Sequence, residues 1–512
     1  MQPRSTEAPA ASRTAGRRVH CGDRLVVRWP AGPARRAVAT AVVALLVAAA
    51  PSAQPPLFTD AFPPAEFAAR RARVMEQIGD GVAILQGAAE YPAYVRFRQN
   101  NQFFYLSGVE VPRAILVLDG RAKAATLYLP PRDERLERSE GPVLVPGPEA
   151  AAATGIADVR PREAFAAALE AFAREGRTLY LPHRPEALGA ATPAQVRRHA
   201  EASLADPWDG RPSWSQAFID RVRARAPRCE IRDLDPILDR LRLIKSEREI
   251  ALVRRATRIA GEAILEAMRA ARPGLYEYEL AAIGDYIFRR SNAQGIAYFA
   301  LVAAGPNAFY PHYHAAQSRI GDGDLVLYDY APDYKYYTSD VTRMFPASGR
   351  WRPDQRERYT LYLHLYQALL GSIRPRQTPR AIREEAARRM EVILAAHETR
   401  DERLREAARR FVDDFRKSDR RDLGHFVGME VHDVTAPYEV LQPGMIFTIE
   451  PALRIPEERV YLRLEDVLLV TEEGVENLSA FVPAEPDAIE RVMAEESPFE
   501  LFDRRKPATE SR

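Results

Sequence analysis

The sequence predicts an α/β domain over residues 58–235, followed by an α+β domain over residues 236–495. Two patterns carry this prediction. In the first region, short apolar runs alternate with helix-like stretches, which is typical of strands covered by helices. In the second region, strand-like runs lie close together in the sequence and favour hairpins in an antiparallel sheet. The composition is that of a globular chain, since 46% of the 512 residues are hydrophobic and 28% are charged.

The elements of the first region follow from periodicity and from turn residues. An amphipathic helix is predicted at "PAEFAARRARVMEQ" and leads into a strand at "GVAILQG". Further strands are expected at "AILVLDG", "ATLYLPP" and "TLYLPHR", with a helix at "PREAFAAALEAFAREG". The loop "ADPWDGRPSW" and the connecting segment "IRDLDPILDRLRLIKS" mark the end of the region, because Pro and Gly interrupt regular structure in that loop.

The second region opens with a helix whose start is well defined. Ser246 and Glu249 form a capping box, and Gly274 follows the end of the helix. Further helices are expected at 275–291, near 353–374 and at 378–416, with strands near 325–345, 445–455 and 460–470. The remaining residues, 496–512, are expected to form a C-terminal tail.

The apolar run "AVATAVVALLVAAA" at residues 37–50 follows Arg35 and Arg36 and is too short to span a bilayer. It fits the hydrophobic part of a secretory signal, so residues 1–53 are predicted to be a leader. Export to the periplasm or to the outside of the cell, with no membrane span after cleavage, is the expected outcome. The stretch before the run is long for a signal, which fits a translation start further along the chain. An uncleaved membrane anchor is the alternative.

Charge and cysteine content exclude several classes of protein. The formal net charge is only +2, so no strong field of one sign indicates a nucleic-acid partner. The chain contains two cysteines, Cys21 and Cys229. Because Cys21 would leave with the leader, the mature protein is expected to have no internal disulfide.

The stretch "LVLYDYAPDYKYYTSDVTRMFP", residues 325–346, places Asp329 and Asp340 eleven residues apart. A tight hairpin that turns between Tyr334 and Lys335 would set the two carboxylates opposite each other. Like charges in that position destabilise the strand pair unless a positive group lies between them. The spacing therefore indicates a metal ion.

Three further ligand candidates follow in the sequence. His425 lies in "LGHFVGMEVHDV", Glu450 in "PGMIFTIEPAL" and Glu465 in "VYLRLEDVLLV". A carboxylate within such an apolar strand is costly unless it is paired or bound to metal. Four carboxylates and one imidazole suit two divalent ions, with Mn²⁺ favoured over Zn²⁺ or Co²⁺ by the oxygen-rich ligands. Two ions about 3.5–4 Å apart would share a bridging hydroxide for hydrolysis.

In the order and surroundings of these five residues, the chain resembles the pita-bread metallopeptidases, and among them the proline-specific branch of aminopeptidase P and prolidase. The motifs that carry the resemblance are "DVTRMFP", "GHFVGMEVHD", "TIEPAL" and "LRLEDVLLVT". In addition, "VRFRQNNQFFYLSGVEVPRAILVL" resembles the N-terminal domain of aminopeptidase P. The resemblance covers about 430 residues and implies a pita-bread catalytic domain over 236–495.

The resemblance also implies roles for individual residues. The five residues named above would bind two metal ions, with Asp340 and Glu465 bridging them. Glu450 matches the position of the general acid/base, and His312 and His432 would line the active site and act on the substrate carbonyl. Arg463 shares a strand face with Glu465 and is expected to pair with a ligand carboxylate. Relatives associate through the N-terminal domain, which implies a homodimer or homotetramer.

Three positions depart from the pattern of the family. Arg421 replaces a histidine that is usual four residues before His425, and Tyr330 replaces a small residue after the first aspartate. Arg454 takes a position that is usually tyrosine. Arg421 and Arg454 are therefore candidates for binding the carboxylate of a short peptide.

The sequence thus predicts an exported Xaa-Pro aminopeptidase, which releases the first residue of peptides that carry proline second. A prolidase, which cleaves only Xaa-Pro dipeptides, is the nearest alternative and is favoured by Arg421 and Arg454. A peptide-binding protein on a catalytically inactive scaffold would have lost metal ligands, and so would an amidinohydrolase related to creatinase. All five ligands are present, which disfavours both.

Overall fold

The computed structural model describes residues 60–90, 95–185 and 190–499. The predicted leader and most of the predicted C-terminal tail lie outside the described residues. Among the helices that are described, none is long and apolar enough to cross a membrane.

The first region is a mixed six-stranded sheet between two layers of helices, which confirms the predicted α/β class. Its strands are β1 (Val82–Gln86), β2 (Ile115–Asp119), β3 (Ala124–Leu129), β4 (Asp158–Pro161), β5 (Leu179–Leu181) and β6 (Ile231–Asp233), in the spatial order β4-β3-β2-β1-β5-β6. Its helices are α1 (Pro64–Gln77), α2 (Asn101–Ser107), α3 (Glu134–Glu140), α4 (Pro148–Thr154), α5 (Phe165–Arg174), α6 (Pro193–Ala205) and α7 (Trp214–Arg225).

Successive side chains of the central strand β1 point to opposite faces of the sheet, so they belong to two different hydrophobic clusters. Val82 and Ile84 on β1 belong to a cluster that also contains residues of α5 and α7. Ala83 and Leu85 point to the other face and join the large core that contains α1 and the second domain. The sheet is therefore covered on both faces, and one of these faces binds it to the rest of the protein.

The loop "ADPWDGRPSW" lies within the first domain and does not end it. It connects α6 to α7, and the chain then returns to the sheet as β6, which pairs parallel with β5. The connecting helix α8 (Asp235–Leu243) begins directly after this strand.

The second region contains helices and small antiparallel sheets, as predicted. Its helices are α9 (Glu247–Ala270), α10 (Glu277–Arg290), α11 (Pro353–Leu370), α12 (Pro379–Ala396), α13 (Glu402–Lys417) and α14 (Pro486–Met493). Its strands are β7 (Gly295–Ile296), β8 (Leu301–Ala304), β9 (Leu325–Asp329), β10 (Pro332–Asp333), β11 (Thr342–Pro346), β12 (Ile446–Ile449), β13 (Ala452–Ile455), β14 (Val460–Arg463), β15 (Asp466–Val470) and β16 (Val475–Asn477).

The ends of the helices in the second region agree with the sequence prediction at one place and differ from it at another. The capping box of Ser246 and Glu249 forms at the start of α9, with both reciprocal hydrogen bonds present. The single helix expected at 378–416 is wrong, because the chain forms α12 and α13 instead. Asp401 caps α13 by accepting a hydrogen bond from the backbone N–H of Leu404 at 3.0 Å. The continuous charged pattern of the sequence hides this local stop signal.

The β9–β11 hairpin reaches into the first domain. Its turn consists of Lys335 and Tyr336, which have φ angles of 52° and 70°. The Tyr336 ring stacks on Phe104 with a centroid distance of 3.7 Å. Its hydroxyl donates to Glu110 at 2.7 Å and accepts from the backbone N–H of Gln99 at 2.8 Å. These contacts hold two non-glycine residues in the left-handed region, which is unfavourable without such support.

Two tyrosines of α11 form hydrogen bonds to the strand ends that carry Glu450 and Glu465. Tyr362 donates to the carbonyl of Pro451 at 2.6 Å and accepts from the N–H of Leu464 at 2.8 Å. Tyr366 donates to the Asp466 carboxylate at 2.8 Å. Because both hydroxyls are bonded directly beside the predicted glutamate ligands, α11 fixes the positions of the two strand ends.

A buried charge cluster joins α8 and the residues after it to the loop near 433. The Asp433 carboxylate contacts the guanidinium of Arg242 at 2.5 Å and the ammonium of Lys245 at 3.0 Å. All three side chains are buried, so each charge depends on the others for compensation.

We expect Asp433→Ala to lower the free energy of unfolding by about 3–5 kcal/mol, because it leaves two buried cations without their anion. Urea unfolding followed by circular dichroism would measure this change. Asp220→Ala is the matched control, since Asp220 pairs with Arg223 on the exposed face of α7, and should cost less than about 1 kcal/mol. Equal costs for the two variants would contradict the prediction.

Candidate metal centre

The centre of the β9–β11 hairpin turn lies one residue further along the chain than the sequence predicts. Thr342 on β11 pairs with Asp329 on β9, so Asp340 is not directly opposite Asp329. The turn lies at Lys335 and Tyr336 instead of between Tyr334 and Lys335. Asp340 is therefore a diagonal neighbour of Asp329 on the same face of the hairpin. The two carboxylates still meet, but through a third residue.

That third residue is Tyr298, which the sequence analysis did not identify. Its hydroxyl lies 2.5 Å from Asp329 Oδ1 and 2.6 Å from Asp340 Oδ1. Burial and the two neighbouring carboxylates raise the pKa of Tyr298 well above its ordinary value. The hydroxyl therefore stays protonated and can donate to one of the two carboxylates at a time.

The remaining predicted ligands converge on the same place. His425 Nε2 lies 3.4 Å from Asp340 Oδ2, 3.4 Å from Glu450 Oε1 and 3.7 Å from Glu465 Oε1. Ligand atoms of Asp340, His425 and Glu465 all lie within 4.8 Å of one another. His425 Nδ1 lies 3.2 Å from the carbonyl oxygen of Phe426 and must donate to it. Nε2 therefore faces the carboxylates, which is the orientation that a metal ligand needs.

Arg463 joins the two halves of this cluster. Its Nη2 donates to Asp329 Oδ2, and its Nη1 lies 3.5 Å from Glu450 Oε2. Glu465 is held by another partner, since its Oε2 accepts from the Thr342 hydroxyl at 2.7 Å. Arg463 thus contacts Asp329 and Glu450, two of the carboxylates predicted to be metal ligands, and both lie outside its own strand.

The electrostatics of the cluster show a shortage of positive charge. Burial raises the pKa of Asp329 to about 6 even though Arg463 opposes the shift. Burial, followed by repulsion from Glu465, raises the pKa of Glu450 to about 7. Burial of His425 would lower its pKa, but the neighbouring carboxylates of Asp340 and Glu465 outweigh this effect and raise it well above the ordinary value. Burial of the two carboxyl groups and the crowding of anions around them and around His425 together account for these shifts.

The donor set fits divalent metal ions. Glu465 Oε1 is buried and has no hydrogen-bond partner among the described residues, although it faces the centre of the cluster. A carboxylate oxygen left without a donor at such a position is costly unless a cation binds it. The four carboxylates and the imidazole supply the hard and borderline ligands that divalent ions prefer.

His432 lies next to this cluster and is oriented by the first domain. Its ring is 4.3 Å from the ring of His425, and its Nδ1 donates to the carbonyl oxygen of Ala190. Burial, with a contribution from His425, lowers the pKa of His432, so the imidazole is neutral near pH 7. Its Nε2 is then an acceptor.

His312 is exposed on a loop that is fastened by a buried carboxylate. Glu277, at the start of α10, accepts from the N–H of Ala304 at 2.9 Å and from that of Ser318 at 3.0 Å. It also accepts from the Tyr313 hydroxyl at 2.8 Å, directly beside His312. His312 lies close enough to His432 to contribute to the lowered pKa of that residue.

The two candidate carboxylate-binding arginines differ in their surroundings. Arg421 is exposed and lines a surface cleft with Arg383 and Tyr438, and that cleft does not include His425. Arg454 is also exposed, and its guanidinium lies 4.9 Å above the Tyr461 ring on the β13–β14 hairpin. The strand that carries Arg454 begins two residues after Glu450, and Arg421 lies four residues before His425.

The raised pKa values predict how metal-dependent stability changes with pH. Because the pKa values of Asp329 and Glu450 lie above their ordinary values, the stability they contribute is complete in acid and is lost as pH rises through about 6 and about 7. Bound divalent ions would compensate these charges. We therefore expect Mn²⁺ to raise the Tm of chelator-treated protein slightly at about pH 5 and strongly at about pH 8.

Scanning calorimetry with and without Mn²⁺ at the two pH values would measure this difference. In Glu450→Gln, which removes one of the two titrating groups, the pH dependence of the Mn²⁺ effect should shrink. The same Tm increase at both pH values in the unmodified protein would contradict the prediction.

Two family models match the chain. Residues 251–472 match metallopeptidase family M24, and residues 67–180 match the N-terminal domain of aminopeptidase P. The Xaa-Pro aminopeptidase of Escherichia coli K12 is 32% identical over 460 residues, covering 84% of this chain and 97% of its own length. The Xaa-Pro dipeptidase of Pyrococcus horikoshii is 30% identical over 266 residues, covering 51% of this chain and 70% of its own.

Solved structures of related proteins extend the similarity to the fold. Aminopeptidase P from E. coli with the inhibitor Pro-Leu has a TM-score of 0.67 at 27% identity, covering 87% of this chain and all of that one. The zinc-substituted form of that enzyme, in complex with product, has a TM-score of 0.66 at 28% identity, covering 84% and 98%. From these matches and from the converging ligands, the chain belongs to metallopeptidase family M24, and it carries the N-terminal domain of aminopeptidase P.

Proposed function

We propose that this protein is a metal-dependent Xaa-Pro aminopeptidase, which hydrolyses the first peptide bond of peptides with proline in second position. The observation that carries the proposal is the convergence of Asp340, His425, Glu450 and Glu465 around one unsatisfied carboxylate oxygen. The similarity to an Xaa-Pro aminopeptidase along almost its whole length supports the choice of substrate.

We propose two divalent ions as cofactors, with Asp329, Asp340, His425, Glu450 and Glu465 as their ligands. The excess of carboxylate oxygens over nitrogen favours Mn²⁺, although a relative accepts zinc. When bound, such ions polarise a carbonyl and lower the pKa of water, which is the chemistry that peptide hydrolysis needs.

The side chains of this protein supply positioning and proton transfer. Glu450 is suited to hold and return a proton near neutral pH because its pKa is raised to about 7. Neutral His432 has an acceptor at Nε2, so it is suited to take up a proton from the reacting substrate, and His312 is the candidate donor to the substrate carbonyl. Arg463 holds Asp329 and Glu450 in position while these steps occur.

A prolidase is the second candidate. The exposed guanidinium of Arg454 above Tyr461 favours it, since a dipeptide would place its carboxylate close to the metal ligands. The extent of the similarity favours the aminopeptidase instead, because the related dipeptidase covers 51% of this chain and the related aminopeptidase covers 84%.

We also propose that the protein is exported and associates as a homodimer or homotetramer. The apolar run at residues 37–50 supports export, and the presence of the N-terminal domain supports association. N-terminal sequencing of protein secreted by the native cell tests the first point, and light scattering after gel filtration tests the second. An N-terminus near Met1, or a monomeric mass, would contradict the respective proposal.

Hydrolysis of Ala-Pro and Ala-Pro-Ala, compared side by side with protein stripped of metal and reloaded with Mn²⁺, tests the function. We expect alanine to be released from the tripeptide, and the stripped protein to be inactive. Cleavage of the dipeptide alone would identify a prolidase. No cleavage of either peptide with metal bound would refute both candidates.

Asp340→Asn should lose both bound metal and turnover, because the Asp340 carboxylate is proposed to bind both metal ions. We expect metal content to fall by at least half and kcat to fall by at least about a hundredfold, as measured by elemental analysis and by alanine release. Asp413→Asn, on the exposed face of α13, is the control. Normal turnover by Asp340→Asn with both metals retained would refute the bridging role.

A further inference from the structure

Helix α6 of the first domain forms one wall of a cleft beside the metal cluster. The cleft has a volume of 390 Å³ and contains the catalytic-domain residues His425 and His432 together with Pro193 and Arg197 of α6. This volume lies near the lower end of the range for small-ligand pockets, about 300–1,000 Å³. The wall therefore limits how much of a ligand fits next to the metal ligands.

The wall is held firmly at its N-terminal end. Thr192 and Gln195 form a capping box at the start of α6, and Val196 is buried. Arg184, which also lines the cleft, makes two contacts of 2.9 Å with Asp239 on α8 through its guanidinium. The hydrogen bond from His432 to the carbonyl oxygen of Ala190 then joins the residues just before α6 to the second domain.

Most charges that line the cleft already have partners. Arg184 is neutralised by Asp239, and Asp433 lies between two buried cations. Asp422 accepts from the Tyr438 hydroxyl at 2.7 Å. Among the described residues that line the cleft, Arg197 is the one cation without an ion pair. A ligand that carries a negative charge would find its partner there.

We propose that Arg197 binds the C-terminal carboxylate of short peptide substrates and that α6 thereby makes the enzyme selective for short peptides. This inference rests on the proposed peptidase function and names a specificity residue for it. A guanidinium forms two parallel hydrogen bonds with a carboxylate, which suits a chain terminus better than an internal peptide bond. A longer peptide would have to displace α6, or its C-terminal part would have to extend out of the cleft and away from Arg197.

Binding of Pro-Leu and Pro-Leu-Gly, each as free acid and as C-terminal amide, tests the proposal without requiring turnover. Isothermal titration calorimetry on Mn²⁺-loaded protein would give the four Kd values. We expect the free acid to bind at least about fivefold more tightly than the amide at one or both lengths, and Arg197→Ala to abolish this preference without weakening amide binding.

Arg198→Ala is the matched control, because Arg198 is the next residue of α6, is exposed and does not line the cleft. It should keep the preference for the acid, and circular dichroism should show both variants folded. An unchanged acid preference in Arg197→Ala, no preference in the unmodified protein, or no binding of any peptide would overturn the proposal.

Failure of the broader function gives a different result. In that case the Mn²⁺-loaded protein would not release alanine from Ala-Pro-Ala, whatever the calorimetry shows. Alanine release with equal acid and amide affinities would instead retain the peptidase function and refute the role of Arg197.

Discussion

Repulsion among four carboxylates, three of them buried and one half-buried, is the constraint on which the second domain depends. Asp329, Asp340, Glu450 and Glu465 come from three separate parts of the chain and share one small space. Arg463 neutralises part of their charge, Tyr298 and Thr342 donate hydrogen bonds, and His425 closes the remaining side. The segments that carry the two glutamates are held from outside by α11, so the fold keeps these anions beside the two aspartates.

The fold class and the candidate ligands could be predicted because each leaves a local signal. A glutamate within an apolar strand, or two aspartates around a tight turn, is unusual enough in sequence to indicate a metal. The capping box of Ser246 and Glu249 likewise depends on residues three apart, and it forms as expected. Local patterns of this kind require no knowledge of how distant segments pack.

The parts that sequence could not supply depend on contacts between distant segments. Tyr298 has no motif of its own, and its position between the two aspartates follows only from the hairpin register. The carbonyl of Ala190 reaches His432 from another domain, across 242 residues of chain. The hairpin turn shifts by one residue because Tyr336 packs on the first domain, which no local turn preference encodes. The resemblance alone grouped Arg421 with the active site, and this residue lines a surface cleft together with Arg383 and Tyr438.

The docking of the Lys335–Tyr336 turn in the first domain has a thermodynamic consequence. The two backbone conformations are unfavourable in isolation, so they persist only while Phe104, Glu110 and Gln99 hold the tip. The stem of the same hairpin carries the two aspartates. Loosening of the first domain would therefore release the tip and weaken metal binding, while bound metal would in turn protect the first domain. The two domains are therefore thermodynamically coupled, so that the affinity for metal in the second domain depends on the stability of the first domain.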